Sequence, residues 1–172
     1  MAKIIAGKNG KLLEGDKEEK KLCSCPKDKK DKCPLDQKCL SDNIVYQATV
    51  TQPNQEKETY IGQTSCDFKK RLAVHHQTFK DKTKSQTALS NHIHDLKQRG
   101  IEPTISWKII DRGKSFSPVT GVCRLCVKEA FYILFRPELA TLNSKSEIFS
   151  ACFHKKSKLL IKVKRGRKPH GN

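Results

Sequence analysis

Apolar residues alternate with polar ones in the stretch that follows a cysteine-rich N-terminal region. From Ile44 to Val50 every second residue is apolar or aromatic, the pattern of a strand with one buried face. Polar residues 52–55 mark a turn and a second strand is predicted over 58–63, so the pair should form a hairpin. A third strand is predicted over 103–111, where three apolar side chains alternate with polar ones: Ile105, Trp107 and Ile109.

Apolar residues that recur every three or four positions predict helices between and after these strands. Thr64 or Ser65 is suited to cap the first helix. The apolar face of that helix has members three or four positions apart: Phe68, Leu72, His76 and Phe79. Further helices are expected near 88–99, over about 122–135 and at 147–154, the first of them ending at Gly100. The order β-β-α-α-β-α-α predicts an α/β domain with a small three-stranded, mainly antiparallel sheet flanked by helices.

Length and composition predict the domain organisation. A chain of 172 residues has room for one domain with tails. Residues 1–21 are poor in bulky apolar groups and rich in Lys and Glu, which is typical of a disordered tail. A cysteine-rich segment follows over 22–42. The compact domain is expected over 43–155, and 156–172 form a basic C-terminal tail.

Charge narrows the class of partner. The chain has 35 Lys and Arg residues against 18 Asp and Glu, a formal charge of +17. Such an excess favours a polyanion, because neutralising phosphates releases condensed counterions. No apolar run approaches the ~18 residues of a membrane-spanning helix, and the N-terminus lacks the apolar stretch of a signal peptide. We therefore expect an intracellular protein that binds nucleic acid and no membrane.

Eight cysteines in a reducing compartment are expected to be metal ligands or core thiols rather than disulfides. Four of them fall close together and offer enough soft ligands for one tetrahedral zinc ion: Cys23, Cys25, Cys33 and Cys39. Their spacing is not that of a standard zinc finger, so unliganded thiols in a flexible arm stay open as an alternative.

A second possible zinc site combines residues from two later regions: Cys123, Cys126, Cys152 and His154. His92 or His94 could take the place of Cys152. Such a site would fix the helix over 122–135 against the C-terminal one. The remaining cysteine, Cys66, is expected to be a buried or helix-start thiol.

A set of polar residues on these elements could support hydrolysis of a phosphodiester. Arg71 and His75 lie four positions apart on one helix and share a face, and Arg71 could stabilise charge on a phosphorane. Glu129 could anchor one divalent ion, with water and phosphate completing the shell that Mg²⁺ prefers. A tyrosine is a poor base at its usual pKa of about 10. A nearby cation and a metal-bound water would still allow Tyr46 or Tyr60 to relay a proton.

Each of these residues also has a simpler structural explanation. Tyr46 shares the parity of the buried strand face, and Tyr60 is a packed aromatic residue beside a glycine. Arg71 in a lysine-rich helix is usually a solvated charge, and only one of the two adjacent histidines can share its face. Glu129 is the most informative residue, because a carboxylate among apolar neighbours is costly without a partner such as a metal or Arg71.

Short segments spread over most of the chain carry one further signal. They are Cys33-Pro34-Leu35, Cys39-Leu40, Val45-Tyr46-Gln47-Ala48-Thr49-Val50, Tyr60-Ile61-Gly62-Gln63-Thr64, Phe68-Lys69-Lys70-Arg71, Leu89-Ser90-Asn91-His92-Ile93, Ile105-Ser106-Trp107-Lys108-Ile109, Cys123-Arg124-Leu125-Cys126, Leu142-Asn143 and Ser150-Ala151-Cys152-Phe153-His154. Together they resemble the GIY-YIG nuclease family, and within it the endonuclease domain of Penelope-like retroelements. The first motif departs from the family name, since Ile44 stands in the place of its glycine.

The resemblance implies an activity, cofactors and residue roles. It assigns six active-site residues: Tyr46 and Tyr60 as paired tyrosines, Arg71 and His75 as the helical pair, Glu129 as the ligand of Mg²⁺ or Mn²⁺, and Asn143 as a supporting residue. It implies a nuclear, metal-dependent endonuclease that nicks double-stranded DNA and supports target-primed insertion. A retroelement reverse transcriptase or RNA would be a further partner. The family is associated with a Cys/His zinc motif, which supports a structural Zn²⁺ in this chain.

The C-terminal tail has three interpretations. Its basic run includes Lys164, Arg165, Arg167 and Lys168. The run resembles a minor-groove hook, in which Arg side chains enter a narrow A·T groove. It would equally serve in nuclear localisation. The simplest interpretation is a solvated tail that adds non-specific affinity for DNA.

Two other classes of function stay open. A domesticated DNA-binding protein would keep the fold and the zinc but lack cleavage, and the complete set of site residues argues against it. An RNA-binding accessory protein would need exposed aromatic residues for base stacking, and the few aromatic residues here fall mostly in core patterns.

Overall fold

The structure, a computed structural model, describes residues 22–26, 32–84 and 87–144. The elements in these ranges are β1 Ile44–Thr51, β2 Lys57–Thr64, α1 Phe68–Lys80, a 3-10 turn Lys82–Lys84, α2 Ala88–Gln98, β3 Thr104–Arg112, α3 Arg124–Phe135 and a 3-10 turn Pro137–Leu139. The strands form one antiparallel sheet in the order β2-β1-β3. The predicted α/β class with a small antiparallel sheet is confirmed, whereas the helix predicted at 147–154 lies outside the described residues.

β1 and β2 form the predicted hairpin. The Gln52 amide closes its turn by donating a hydrogen bond to the Glu56 carbonyl at 2.9 Å. The ladder register places Tyr46 opposite Gly62. Because side chains alternate between the two faces of a sheet, the even-numbered residues of both strands lie on one face, which we call the first face.

The first face is covered by α1 and α2. The buried residues here are Ile44, Tyr46, Ala48, Val50 and Tyr60 from the sheet, with Phe68, Phe79, Leu89, Ile93 and Leu96 from the helices. α2 lies where it was predicted and begins with a capping box between Thr87 and Ser90. Gly100 follows it with φ of 73°, a left-handed conformation that glycine adopts without strain.

α1 begins later than predicted. Its N-cap is Asp67, whose carboxylate accepts a hydrogen bond from the Lys70 amide at 2.9 Å. The prediction of Thr64 or Ser65 as the cap is therefore wrong. Thr64 ends β2, and its hydroxyl oxygen accepts a hydrogen bond from the Cys66 amide at 3.2 Å, so it shapes the turn before the helix.

The buried side of α1 contains His75 and not His76. Successive helical residues turn by about 100°, so His75 lies about 20° and His76 about 80° from the direction of Phe68. His75 is 1% exposed and is buried together with Phe68 and Phe79, whereas His76 is exposed. The prediction that His76 completes the apolar face is wrong.

The opposite face of the sheet, which we call the second face, is covered by α3 and the loop before it. Its cluster of buried residues is Val45, Ile61, Phe116, Cys123, Leu125, Ile133 and Ala140. α3 also carries apolar side chains that are directed to solvent, among them Phe131 at 49% and Phe135 at 68% exposure.

Candidate active site and metal centre

Tyr46 and Tyr60 project from neighbouring strands onto the first face. Tyr46 lies opposite Gly62 in the ladder, and its hydroxyl end lies over that glycine. A Cβ added to Gly62 would be 2.6 Å from the Tyr46 oxygen and 2.9 Å from the Tyr60 ring. Any other residue at position 62 would push the rings away, so Gly62 provides the space in which the two tyrosines meet.

Arg71 and His75 both reach the Tyr46 hydroxyl from α1. Arg71 Nε donates a hydrogen bond to the Tyr46 oxygen at 3.0 Å. The same oxygen lies 2.8 Å from His75 Nε2. Since a guanidinium only donates, the single hydroxyl proton of Tyr46 is available for His75. Arg71 thus donates to Tyr46 and Tyr46 donates to His75, so the three side chains form one hydrogen-bonded chain.

The protonation state of His75 agrees with a hydrogen bond donated by Tyr46 to His75. Burial, followed by the charges of Arg71 and His76, lowers the pKa of His75 to about 3. The imidazole is therefore neutral near pH 7, and with its proton assigned to Nδ1 its Nε2 accepts from Tyr46.

Electrostatic interactions extend the cluster to Tyr60 and Glu129. Burial raises the pKa of Tyr46, while the charge and hydrogen bond of Arg71 lower it. Burial alone would lower the pKa of Arg71, but Tyr46, Tyr60 and Glu129 together raise it. The Tyr60 ring is also centred 6.4 Å from the His75 ring. The structure thus brings together five residues from two strands and two helices.

Asn143 lies at the edge of β2. The Ile61 amide donates to Asn143 Oδ1 at 2.7 Å, and Asn143 Nδ2 donates to the Ile61 carbonyl at 2.9 Å. The Leu142 amide donates to the Thr59 carbonyl at 2.9 Å. These bonds satisfy backbone groups that an edge strand leaves unpaired. Asn143 therefore holds the part of β2 between Tyr60 and Gly62.

Trp107 belongs to the same cluster, although the sequence pattern indicated only that it lies on a strand. Its ring is centred 5.2 Å from His75 and 5.8 Å from Tyr46. An irregularity in the β1–β3 register falls between Val45 and Tyr46, next to this contact. Trp107 alternates along the third strand together with Ile105 and Ile109. This alternation was the sequence signal that could have identified Trp107 as a neighbour of the site.

The sulfur atoms of the four N-terminal cysteines converge. The Sγ atoms of Cys23, Cys25, Cys33 and Cys39 all lie within 4.8 Å of one another. Three of their separations are 3.8, 3.8 and 3.6 Å. A tetrahedral ion with metal–sulfur bonds of about 2.3 Å has sulfur–sulfur edges of roughly 3.8 Å. The cluster can therefore hold a metal such as zinc.

The thiols of this cluster influence each other's ionisation. The hydrogen bond with Cys23, followed by burial, raises the pKa of Cys25 to about 12. Burial would raise the pKa of Cys33, but the backbone of Leu35 and the neighbouring thiols lower it to about 7. Adjacent thiolates repel one another, so joint ionisation needs a cation between them.

His92 and His94 do not join a metal site with the later cysteines. His92 Nε2 lies 2.8 Å from Glu58 Oε2, and His94 Nε2 lies 2.7 Å from the Thr78 carbonyl oxygen. Over the residues that the structure describes, the four-cysteine cluster is the one group of three or more His, Cys, Asp or Glu ligands. The alternative in which one of these histidines is a ligand is therefore wrong.

The remaining cysteines are placed as follows. Cys123 is buried at the N-cap of α3 and Cys126 is half-buried one turn later, while Cys152 and His154 lie outside the described residues. The second zinc site thus stays a prediction. Cys66 is exposed rather than buried and directly precedes the N-cap of α1.

The predictions for the two ends of the chain also fall outside the described residues. They include the tail at 1–21 and the basic run at 164–168. Within the described ranges, no helix has the length and apolar character needed to span a membrane.

Comparison with protein-family models, with curated proteins and with solved structures found no significant match to this chain. The resemblance to GIY-YIG nucleases therefore stays a prediction based on motifs. The distances and burial described above do not depend on it.

Proposed function

We propose that the protein is a metal-dependent DNA endonuclease of the GIY-YIG type, derived from a Penelope-like retroelement, that nicks duplex DNA. The observation that carries this proposal is the hydrogen-bonded chain of Arg71, Tyr46 and His75. Tyr60 and Glu129 add to it, because both raise the pKa of Arg71. A solvated surface arginine would not be half-buried among two tyrosines and a carboxylate. The formal charge of +17 supports a nucleic-acid partner.

Arg71 is the group that neutralises the phosphate. Hydrolysis of a phosphodiester requires stabilisation of charge on the non-bridging oxygens. The Nε of Arg71 is engaged by Tyr46, so its terminal amino groups are the donors for these oxygens. Because Tyr46 holds the planar guanidinium in one orientation, less conformational freedom is lost when DNA binds.

Tyr46 and His75 offer a route for one proton. As the Tyr46 oxygen takes a proton from the attacking water, its own hydroxyl proton moves to His75 Nε2, which leaves hydroxide and an imidazolium. Tyr46 is 0% exposed, so the water must enter beside the half-buried Arg71. His75 is 1% exposed and its Nε2 faces the Tyr46 hydroxyl. Its low pKa favours return of the proton, so the imidazolium gives the proton back to the Tyr46 oxygen, and the Tyr46 hydroxyl proton passes to the leaving oxygen.

Glu129 would hold one Mg²⁺ or Mn²⁺ ion. A single half-buried carboxylate fits these hard cations, which bind through one or two carboxylates and complete their shell with water and phosphate. When bound, the ion polarises the phosphate and stabilises the leaving oxygen. The soft thiols of the four-cysteine cluster suit a different ion, and we propose a structural Zn²⁺ there. Nuclear localisation rests on the resemblance and on the basic run at the C-terminus, and a reverse transcriptase or RNA partner rests on the resemblance alone.

Nicking of supercoiled plasmid tests the proposal. The protein is dialysed and assayed with and without added Mg²⁺, rather than in chelator, so that any metal on the cysteines stays bound. Glu129→Ala is compared with Glu102→Ala, which removes an exposed carboxylate before β3. We expect Mg²⁺-dependent conversion to open circles in the wild type and in Glu102→Ala, with a loss of about a hundredfold or more in Glu129→Ala.

Other outcomes would point to other functions. Binding of duplex DNA without nicking in any divalent ion would favour an inactive DNA-binding protein. Preference for single-stranded RNA over duplex DNA in competition would favour an RNA-binding accessory protein. Equal loss of nicking in the two glutamate variants would remove Glu129 from the metal site.

A further inference from the structure

Cys39 takes part in two structures, because it belongs to the metal cluster and also caps α1. Its backbone carbonyl accepts a hydrogen bond from the Lys69 amide at 2.8 Å, and the Ser41 carbonyl accepts one from the Phe68 amide at 3.0 Å. The first N–H groups of a helix have no partner within the helix itself. The cysteine-rich segment therefore supplies partners for two N–H groups in the first turn of α1.

A side-chain contact joins the same two parts of the molecule. Lys69 Nζ donates a hydrogen bond to Ser24 Oγ at 2.9 Å, and Ser24 lies between two cysteines of the cluster. The Leu40 amide donates to the Leu22 carbonyl at 2.8 Å, which joins the two arms of the segment. The start of α1 thus contacts both arms that the metal would hold together.

The cysteine-rich segment has little apolar core of its own. Among its described residues, Leu35 and Cys39 are the buried hydrophobic ones, at 3% and 0% exposure. So small a core does not offset the conformational entropy of ordering such a segment. Metal binding to four thiolates releases free energy that becomes folding free energy, so the order of this segment should depend on the metal.

We propose that the metal held by the four cysteines positions Arg71 and His75 for reaction, so that metal loading of this cluster regulates the active site. Arg71 follows Lys69 by two residues and His75 lies one turn further along α1. A shift at the start of the helix would move both away from the Tyr46 hydroxyl. The consequence for DNA cleavage rests on the proposed function, whereas the effect on α1 does not.

Hydrogen exchange measures this coupling without any assay of activity. The protein loaded with one Zn²⁺ per chain is compared with the reduced, metal-free protein. We expect backbone amides in the first two turns of α1 to exchange about tenfold faster or more without zinc, since the opening free energy of a segment follows the contacts that hold it. α2, which covers the same sheet face, is the internal control and should change little.

Trp107 gives an independent spectroscopic readout. It is the single tryptophan of the chain. With Cys33 and Leu72, it lines a groove of about 590 Å³ between the cysteine-rich segment, α1 and β3. Its fluorescence should shift to longer wavelength when zinc is removed and return when Zn²⁺ is added back, because departure of the segment exposes the ring to water.

Substitutions at Cys25 separate positioning from general packing. Cys25 is half-buried, whereas Cys39 is fully buried and its loss would disturb the core as well. Cys25→Ser should weaken zinc binding and release α1. Cys25→His should restore both, since three thiolates and one imidazole also bind zinc tetrahedrally. The matched control is Cys66→Ser, an exposed cysteine outside the cluster, which should behave as wild type.

Several results would overturn the proposal. They are unchanged exchange in α1 on zinc removal, equal acceleration in α1 and α2, or a Cys25→His variant that binds zinc but leaves α1 unprotected.

The two proposals, DNA cleavage and positioning of α1 by the metal, can fail independently of each other. If zinc protects α1 but no preparation nicks DNA, the endonuclease proposal fails and the positioning stands. If metal-free protein nicks DNA as fast as the zinc-loaded form, the positioning fails and the endonuclease stands.

Discussion

The two faces of the sheet are built from the same strands but are stabilised by different interactions. On the first face, the buried polar side chains Tyr46 and His75 are hydrogen-bonded to each other, and Tyr46 also accepts a hydrogen bond from Arg71. On the second face, Val45 and Ile61 are buried in a cluster with apolar residues of α3 and its preceding loop. The first face therefore combines directional and apolar contacts, while the apolar contacts dominate on the second.

The two faces should differ in how many side-chain arrangements each of them allows. A buried polar group is costly unless its partner is in place, whereas an apolar cluster tolerates changes that conserve volume. The first face should therefore have one permitted arrangement of side chains, and the second should adapt to small changes. We infer that the residues proposed for chemistry are also those that make the core unique.

The largest expected difference between the faces concerns glycine. Gly62→Ala would place a methyl group 2.6 Å from the Tyr46 oxygen, so we expect a loss of about 3 kcal/mol in unfolding free energy. Gly113→Ala on the second face would meet the Leu125 backbone at 3.3 Å, a contact that a small shift relieves, and should lose about 1 kcal/mol. Urea unfolding measures both. Equal losses would mean that the tyrosine pair is packed no more closely around Gly62 than the second face is around Gly113.

The pH dependence of stability should come mainly from the first face between pH 7 and 5. The folded-state pKa of His75, about 3, lies below its usual value of about 6.5. The unfolded state therefore binds the proton first, and stability is complete above pH 6.5 and falls as the pH decreases toward 3. We expect His75 to account for about 2 kcal/mol of loss between pH 7 and 5, and His75→Gln should reduce that loss.

Asp111 on the side of α3 provides the contrast. Burial would raise its pKa, but Lys128 and the Arg112 amide lower it below the ordinary value of 3.8. The stability it contributes is present above that value and is lost only as the pH falls through the lower folded-state pKa. Asp111→Asn should therefore leave the change between pH 7 and 5 as in the wild type. An unchanged pH dependence in His75→Gln would contradict the assignment.

A smaller effect is expected from removing one hydroxyl on each side. Tyr46→Phe removes the acceptor of Arg71 and the partner of His75, so we expect a loss of about 1.5 kcal/mol despite nearly constant volume. Tyr132→Phe removes a hydroxyl that reaches Asp111 Oδ2 at 3.4 Å, and should lose about 0.5 kcal/mol or less. Thermal or urea unfolding measures both. A larger loss in Tyr132→Phe would reverse the comparison.

The two cysteine groups show how far spacing predicts a site. The four N-terminal cysteines lie within one short segment, so few backbone conformations separate them, and their convergence was predictable. Cys123 and Cys126 offer only two ligands on one helix, and completing their site required guesses about distant residues. Those guesses were wrong for His92 and His94, since His92 lies against Glu58 of β2 and His94 against Thr78 of α1.

The start of α1 shows why local signals were insufficient at one boundary. The predicted caps were Thr64 and Ser65, and Asp67 is as good a capping residue as either, so residue type alone does not separate these starts. The carbonyls of Cys39 and Ser41 accept the amides of residues 68 and 69, which selects the start at Phe68. A contact from nearly thirty residues upstream thus decided a feature that appears local.

The sequence by itself determined the hairpin, the approximate helices and the four-cysteine group, because each depends on periodicity or on spacing within a short stretch. Only the tertiary structure decided that Arg71 and His75 both meet the Tyr46 hydroxyl, why position 62 must be glycine, and that Trp107 borders the site. Those relations depend on strand register and helix rotation. Both are set by the packing of the whole core, which no short window of sequence contains.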